Sequence, residues 1–452
     1  MVESESGNSD VVLDGVSSDD PPETLPAETI EGEHGASVDE NDSENVEVLG
    51  KRGTAEFDVT EEENGLKKQA TGVSTLNQVG PFAVGGFYHV IFLANDGSVY
   101  GSGSNNTGEI GQNESVPYVA IPHKIENLPP VVSVSCGSNF TVCADAFGDV
   151  WTFGSSDYGQ LGTGSEYSQC EPTKVPGLPA ILSITCGDSF TLCLSDDTTV
   201  WGFGANDYGQ LGLGHCDDVP KPEKIPIDGV CKIVCGGQHS LVVKDCGALY
   251  VCGHNDAGKL GLGHEQDQNR FIAVSDLPPI VDMAAAYWHS LILDNDGNVY
   301  GAGQNGTNEL GICENPKLWK VKTWRKIPVP GKVQSVSCGS YHSMCVGTEK
   351  ELYMFGNNSN RQMGNFDEVL GDVTKPILLP FFGEVDSISS GGGVSIIKNS
   401  KGIWTCGNNT TGTRGIGNLE FLPEPTKLPD EFTHIMGKPR VYSKGATNNG
   451  NE

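Results

Sequence analysis

Residues 201–212 read Trp201-Gly-Phe-Gly204-Ala-Asn-Asp-Tyr-Gly-Gln-Leu-Gly212, and residues 151–162 read Trp151-Thr-Phe-Gly154-Ser-Ser-Asp-Tyr-Gly-Gln-Leu-Gly162. An aromatic, two residues, a glycine, a polar run and a closing glycine form one frame. The frame occurs seven times, with its first glycine at 103, 154, 204, 253, 303, 356 and 407. Subtracting successive positions gives spacings of 51, 50, 49, 50, 53 and 51. Self-similarity at a fixed period of this length marks an array of one supersecondary unit.

The half-repeat upstream of each frame is as regular. A turn of small residues leads to an anchor, which is His89, Phe140, Phe190, His239, His289, His342 or Val394. The anchor opens a short apolar strand such as Thr141-Val-Cys-Ala144, and a turn such as Asn95-Asp-Gly97 or Asn295-Asp-Gly297 follows. Asn and Asp before Gly are hairpin signals, because these residues accept the positive φ of a tight turn. The next strand carries the aromatic. A further strand precedes the anchor, as in Val333-Gln-Ser-Val-Ser-Cys338. A proline-bearing stretch, as in Glu171-Pro-Thr-Lys-Val175, reads as an edge strand, where a missing N–H breaks no ladder. Four short strands in about 50 residues make one propeller blade. The fold class is therefore all-β, a seven-bladed β-propeller over residues 76–437. Ring closure removes the exposed strand edges that make open sheets aggregate. Residues 421–437 read as a further outer strand pair, so the last blade is expected to draw on both ends of the chain.

Composition agrees. Sixty glycines in 452 residues are about twice the usual share, which suits turns and not helices. Net charge is −31. Residues 1–70 hold 20 acidic residues against Lys51, Arg52, Lys67 and Lys68, a net of −16. With Phe57 as its lone aromatic, the segment 1–75 cannot bury enough apolar area to offset chain entropy, and it reads as a disordered acidic tail. Ser17, Ser37 and Thr60 each precede an acidic residue by three positions, as an acid-directed kinase prefers. Residues 438–452 read as a flexible C-terminal tail. So acidic a chain repels nucleic acid and anionic membrane at long range, and neither is expected as a direct partner. No apolar run is long enough to span a membrane, and residues 1–30 lack the pattern of a secretory signal. The expected location is intracellular, cytoplasmic or nuclear.

These residues resemble the regulator of chromosome condensation repeat family, over about residues 76–437. Its small-Gly-x-x-His-Ser/Thr turn stands in Cys235-Gly-Gly-Gln-His-Ser240 and Cys338-Gly-Ser-Tyr-His-Ser343, and its closing run in Gly204 to Gly212. The family's founding member is the nucleotide exchange factor of the Ran GTPase, and other members are adaptors, ubiquitin-ligase subunits and a plant ultraviolet-B photoreceptor. In the exchange factor, acidic and histidine residues of these turns face the GTPase beside a long wedge insertion. The resemblance makes Asp188 in Gly187-Asp-Ser189 the counterpart of one such residue, with Phe190 replacing the histidine after it. Gln238 and Tyr341 occupy comparable turns and are not acidic. The even spacing leaves no room for a long wedge. The photoreceptor's repeated Gly-Trp-Arg-His-Thr is absent, with only Trp288 in the comparable slot.

Two surface features stand out. The positions before each anchor give Phe87 and Tyr88 in blade 1, Tyr287 and Trp288 in blade 5, Tyr341 in blade 6, and Gly392 and Gly393 in blade 7. Blades 5, 6, 7 and 1 are consecutive in a ring, so the residues form an expected aromatic crescent around a glycine-floored recess. Aromatic side chains anchor protein interfaces by burying much area at little entropic cost. The alternative is that the rings pack over neighbouring blades. The second feature is Lys317 to Lys326, with Trp319, Lys320, Lys322, Trp324, Arg325 and Lys326. It reads either as a lysine-guarded edge strand or as a docking site for an acidic segment, the chain's own tail included. The shared histidine slot also takes Phe and Val, so the histidines are expected to be buried and hydrogen-bonded, not metal ligands. Cys136/Cys143, Cys186/Cys193 and Cys338/Cys345 lack a zinc hook and read as small apolar groups. No nucleophile–base pair, phosphate loop or cofactor motif appears. The expected function is a regulatory or adaptor protein-interaction propeller, and the alternative is an exchange factor for a Ran-like small GTPase.

Overall fold

The computed structural model describes residues 83–113, 115–313, 318–364 and 371–435. The acidic segment 1–75 and the tail 438–452 lie outside them. The described strands form seven four-stranded antiparallel sheets, each a meander of consecutive strands. Blade 1 holds Ala83–Gly85, His89–Leu93, Val99–Ser104 and Tyr118–Lys124, and blade 7 holds Val385–Ser390, Val394–Asn399, Gly402–Gly407 and Thr426–Lys427. Each anchor opens the second strand of its blade, which is buried along nearly its whole length. A strand sandwiched between the neighbouring blades has no solvent face, and its sequence reads as a continuous apolar run. The proline-bearing stretch is the outermost strand, paired on one side only. The strands that precede the anchors are innermost and touch one another around the axis, Val385–Ser390 meeting Ala83–Gly85 to complete the circle.

The first frame glycine has a steric cause. It lies opposite the anchor in the ladder at φ 97–112° in all seven blades. A Cβ there would sit 2.1–2.6 Å from the carbonyl oxygen of the residue before the anchor. Only glycine tolerates both the angle and the approach.

The anchor histidines are structural. His89, His239, His289 and His342 are fully buried. Each Nε2 meets a hydroxyl of the following blade: Thr141 at 3.1 Å, Ser290 at 2.7 Å, Ser343 at 2.9 Å and Ser395 at 2.8 Å. Three of these hydroxyls donate onward to a backbone carbonyl of the first blade's own polar loop, Glu109 O, Lys259 O or Glu309 O, at 2.7–3.0 Å. Burial holds the imidazoles neutral, with His289 lowered to about 3 and His342 to about 4. The cysteine pairs are free thiols, and burial raises their pKa.

The polar run in each frame is a buried hydrogen-bonding device. In blades 1, 3, 4, 5, 6 and 7 its asparagine is buried, and its Oδ1 accepts the N–H five residues on: Asn105, Asn206, Asn255, Asn305, Asn358 and Asn409. The Nδ2 donates to loop carbonyls, as Asn255 does to His264 at 2.9 Å and Gln266 at 3.1 Å. Each loop is thereby cross-linked from within, satisfying backbone groups that burial would otherwise orphan.

The last blade differs from expectation. Residues 421–435 hold one two-residue strand, Thr426–Lys427, and a short helix, Asp430–Ile435, and blade 7 takes no strand from the N-terminal side among the described residues. Pro423, Pro425 and Pro429 flank the short strand and cannot donate to a ladder. The lost bonds are supplied by Arg414. It stands where other blades have Leu161, Leu211, Leu260 or Leu310, and it is fully buried. Its guanidinium donates to Leu422 O at 2.7 Å, Thr405 O at 2.7 Å, Glu424 O at 2.9 Å and Thr426 Oγ1 at 2.8 Å. The circle then closes by the contact used elsewhere. Gly417 N–H donates to Ala120 O at 2.8 Å, as Gly164, Gly214 and Gly263 do to Pro220, Asn269 and Lys322 at 2.7–2.9 Å. No described helix is long and apolar enough to cross a membrane.

Candidate functional site

Each innermost strand is joined to its anchor by a tight turn. In all seven turns the N–H of the first residue bonds the anchor's carbonyl at 2.8–3.0 Å. The turns are also linked to one another. Ser138 N–H donates to Asp188 O at 3.0 Å, Asp188 N–H to Gly237 O at 2.8 Å and Gly237 N–H to Ala286 O at 3.1 Å. Ser340 N–H donates to Gly392 O at 3.1 Å, and Gly392 N–H to Gly86 O at 2.9 Å. These bonds join the turns of blades 2 to 5 in one run and those of blades 6, 7 and 1 in another, a backbone collar at one end of the axis.

Inside the collar is a recess of about 200 Å³. Phe87, Ser138, Asp188, Tyr287 and Ser340 reach it from five blades, and glycine, cysteine and other small residues of the innermost strands and turns line the rest. Asp188 is the one lining residue that bears a charge. Its carboxylate accepts a hydrogen bond from the Ser138 hydroxyl, and burial raises its proton affinity. Phe87 lies against Gly392, and Tyr287 against Gly237, where a Cβ would approach the ring to 2.7 Å. The rings therefore lean onto the preceding blade and line the recess at the same time. The Tyr287 hydroxyl is raised, by burial first and by Asp188 next.

The second turn positions face outward. Tyr88 is 45% and Tyr341 38% exposed, while Trp288 is half-buried against Tyr287 with ring centres 4.8 Å apart. Gln238 is half-buried in blade 4. The structure thus brings Phe87, Asp188 and Tyr287 to one recess and sets Tyr88, Gln238, Trp288 and Tyr341 around its rim. Lys259 is a member of this site that the sequence reading missed. It is fully buried, and its Nζ donates to Tyr287 O at 3.2 Å and His254 Nδ1 at 3.0 Å, 5.7 Å from the Trp288 ring centre. Burial lowers its pKa to about 8. The signal was present: other blades carry Gln160, Gln210, Gln362, Glu109 or Glu309 in that slot.

The basic stretch lies away from the collar. Lys320–Lys326 is the outermost strand of blade 5. Lys320 pairs with Asp256 at 3.2 Å and Glu265 at 3.3 Å, Lys322 pairs with Glu265 at 3.1 Å, and Lys326 donates to Asn298 at 2.8 Å. Its charge is largely spent within blades 4 and 5. Trp324 is half-buried and packs over Gly261 of blade 4, where a Cβ would meet its ring at 2.2 Å. Trp319 is 71% exposed, and Arg325 is exposed. Among the described residues no group of His, Cys, Asp or Glu is arranged to hold a metal ion.

An RCC1-like domain model matches residues 40–279, and RCC1 repeat models match residues 296–346 and, separately, 280–308 and 333–362. The zebrafish (Danio rerio) Protein RCC2 homolog is 38% identical over 79 residues, 17% of this chain and 16% of that protein. The mouse (Mus musculus) RCC1-like G exchanging factor-like protein is 29% identical over 154 residues, 30% of this chain and 33% of that protein. The chain thus aligns with a third or less of the length of these curated relatives. The crystal structure of Prp20p from Saccharomyces cerevisiae, studied for binding to Gsp1p and histones, superposes with a TM-score of 0.61 at 22% identity, covering 78% of this chain and 83% of that one.

Proposed function

The chain belongs to the RCC1-like domain family, and from that premise we propose that it is a protein-interaction propeller with a regulatory or adaptor role, docking a protein partner on the collar face. One observation carries the reading. Phe87, Tyr88 and Tyr341 keep 36%, 45% and 38% of their surface exposed on turns that backbone hydrogen bonds tie across blades 6, 7 and 1. Rigid, exposed aromatics bury large area on binding and lose little entropy. The protein is expected to act inside the cell, in cytoplasm or nucleus. Capture of partners from cell extract by the full chain, compared with Trp288→Ala/Tyr341→Ala, tests the face. The double variant should lose its specific partners while keeping the wild-type thermal midpoint. A midpoint fall of many degrees would mean the two rings are core, and unchanged capture would move the docking face elsewhere.

A second reading, exchange of guanine nucleotide on a Ran-like small GTPase, is favoured by Asp188 in its turn and by similarity to the mouse RCC1-like G exchanging factor-like protein. Two features oppose it: Phe190 follows the Asp188 turn, and no connection between a third and a fourth strand is longer than residues 408–425 of blade 7, too short for a long wedge. Incubation with Ran-like GTPases loaded with fluorescent GDP separates the readings. Accelerated release supports exchange, and basal release with intact partner capture supports the adaptor.

A further inference from the structure

The collar takes one end of the axis, and an apolar mouth stands at the other. Each innermost strand begins at that far end, where the N–H of its first residue meets the hairpin of the preceding blade. Val131 donates to Gly97 O, Ile181 to Gly148 O, Ile280 to Gly247 O and Val333 to Gly297 O, at 2.9–3.0 Å. The second residue of the strand falls on a register shift, and a bulged residue turns out of the ladder. At this position blades 2 to 5 carry Val132, Leu182, Cys231 and Val281, while blades 6 and 7 carry Gln334 and Asp386. Leu182 and Val281 are 51% and 52% exposed. Phe147, beside Gly148 in the blade 2 hairpin, is 77% exposed. Successive innermost strands touch, so four consecutive blades set an apolar crescent at the far mouth. Contiguous exposed apolar surface with a polar rim marks an interaction site. The rim carries one sign of charge. The hairpins between second and third strands of blades 2 to 5 hold Asp149, Asp196, Asp197, Asp245 and Asp296 and neither Lys nor Arg. The hairpin lysines, Lys350 and Lys401, belong to blades 6 and 7. Lys174 pairs with Asp149 at 2.6 Å, whereas Asp245 and Asp296 make no ion pair among the described residues.

The chain supplies a segment of matching chemistry and delivers it to this end. In every blade the residue after the outermost strand donates its N–H to a carbonyl at the start of the third strand, at 2.8–2.9 Å, and in blade 7 this is Leu428 to Ile403 O. Six blades then send the chain to the next innermost strand. In blade 7 it enters the helix Asp430–Ile435 instead, whose Phe432 packs in one cluster with Ala83, at the far end of the innermost strand of blade 1. Residues 436–452 follow. Within them Lys438-Pro-Arg-Val-Tyr-Ser-Lys444 sets three basic residues around Val441 and Tyr442 with no acidic one, in a chain of net charge −31. Six residues beyond Ile435 reach at most about 20 Å. The four strands of a blade span about 15 Å, so Val441 can reach the axis.

We propose that the far mouth is a docking site for the chain's own C-terminal segment, with Val441 and Tyr442 on the apolar crescent and Lys438, Arg440 and Lys444 facing the hairpin carboxylates. Covering the exposed Leu182 and Val281 supplies attraction, and the one-signed rim selects a basic segment over the acidic remainder of the chain. The tethered segment competes with any partner segment of the same chemistry, so it governs access to the face opposite the collar. The site is independent of docking on the collar.

The test uses the full chain, its variant Lys438→Glu/Arg440→Glu/Lys444→Glu, and a fluorescein-labelled peptide of residues 436–452, with binding read by fluorescence anisotropy. A closely tethered segment is present at an effective concentration on the order of 1 mM, so at an affinity of about 0.1 mM it fills its own site roughly tenfold over the empty form. The charge-reversed variant should therefore bind the peptide at least fivefold more tightly than the wild type, whose own segment blocks the mouth. Leu182→Asp/Val281→Asp, added to that variant, should lower peptide affinity at least tenfold. No binding to the charge-reversed variant, or binding that survives Leu182→Asp/Val281→Asp, overturns the proposal. Equal binding to variant and wild type also overturns it and leaves the mouth to a partner's basic segment. If the aspartate pair does not fold, zero-length carbodiimide cross-linking of the full wild-type chain decides. Amide links within one chain from Lys438 or Lys444 to Asp149, Asp196, Asp197, Asp245 or Asp296 support the docking. Absence of those links overturns it. Links formed only between chains of an isotopically mixed sample overturn it as well and assign the mouth to a second copy.

Discussion

Replacing His342 with phenylalanine tests the account of the anchor slot most directly. Phe140 and Phe190 fill this slot in blades 2 and 3, each with a glycine three residues before it, and His342 has Gly339 there. The ring is fully buried, its Nε2 meets the Ser395 hydroxyl at 2.8 Å, and its Nδ1 has no partner. At pH 7 the substitution removes one hydrogen bond, about 1 kcal/mol net, and also removes an unpaired buried ring nitrogen of similar cost. The expected change at pH 7 is therefore within about 1 kcal/mol. The pH dependence differs. The folded pKa is about 4, depressed by burial below the unfolded value of about 6.5. Between those values the unfolded chain binds the proton and the folded chain does not, so stability is full above pH 6.5 and falls as pH falls towards 4. From pH 7 to pH 5 the wild type loses about 2 kcal/mol through this one residue. His342→Phe should lose about that much less, which makes it the more stable protein at pH 5. Urea denaturation followed by intrinsic fluorescence at both pH values reads the difference. Parallel pH profiles for variant and wild type would show that His342 is not held neutral in the fold, and the reasoning about all four anchors would fail. His289→Phe supplies a contrast, because Ala286 replaces the glycine there; it should be destabilised at pH 7 by about 1–3 kcal/mol through overpacking.

Arg414→Leu installs the residue that four other blades use, yet it strips donors from the carbonyls of Thr405, Leu422 and Glu424; a loss of about 3 kcal/mol is expected, with faster amide hydrogen exchange at Thr426 and Lys427, and unchanged exchange there would refute Arg414 as the closing element. Asn255→Ala removes three buried hydrogen bonds and should cost about 3 kcal/mol in urea unfolding, whereas Asn106→Ala, on the exposed side of its loop, should cost under about 0.5 kcal/mol; equal effects would contradict the internal cross-link. Lys259→Gln restores the side chain of three other blades but lacks the reach to Tyr287 O, so the thermal midpoint should hold or rise while partner capture weakens severalfold; a capture curve identical to wild type would remove Lys259 from the docking face.

Much of the architecture is written along the chain. The seven frames, the strand that each anchor opens, the edge placement of proline and the hairpin turns follow from short-range chemistry, in which residue type sets backbone angle and alternation sets burial. The residues destined for the collar could be picked out as well, since Phe87, Asp188 and Tyr287 occupy one position of the repeat and Tyr341 the next. The resemblance to regulator of chromosome condensation repeats rests on the same register, and the family match agrees with it.

Other features depend on contacts that the repeat pattern does not show, some inside a blade and some across the seam between two. The expected strand pair after residue 421 gave way to Arg414, because only the packed blade brings its guanidinium to three stranded carbonyls. The polar run reads as polar loop in sequence, and only the folded loop shows that its asparagine is buried and bonded to the loop's own backbone. Trp324 looks like a surface anchor until Gly261 of the preceding blade comes to lie beneath it. The sequence by itself determined the blade, its repeat and its order, because those are matters of local propensity and spacing. Tertiary structure decided which polar groups are buried, how the circle closes and that one carboxylate and two aromatic rings line one recess, because those depend on how loops and blades pack, which the spacing of the repeat does not contain.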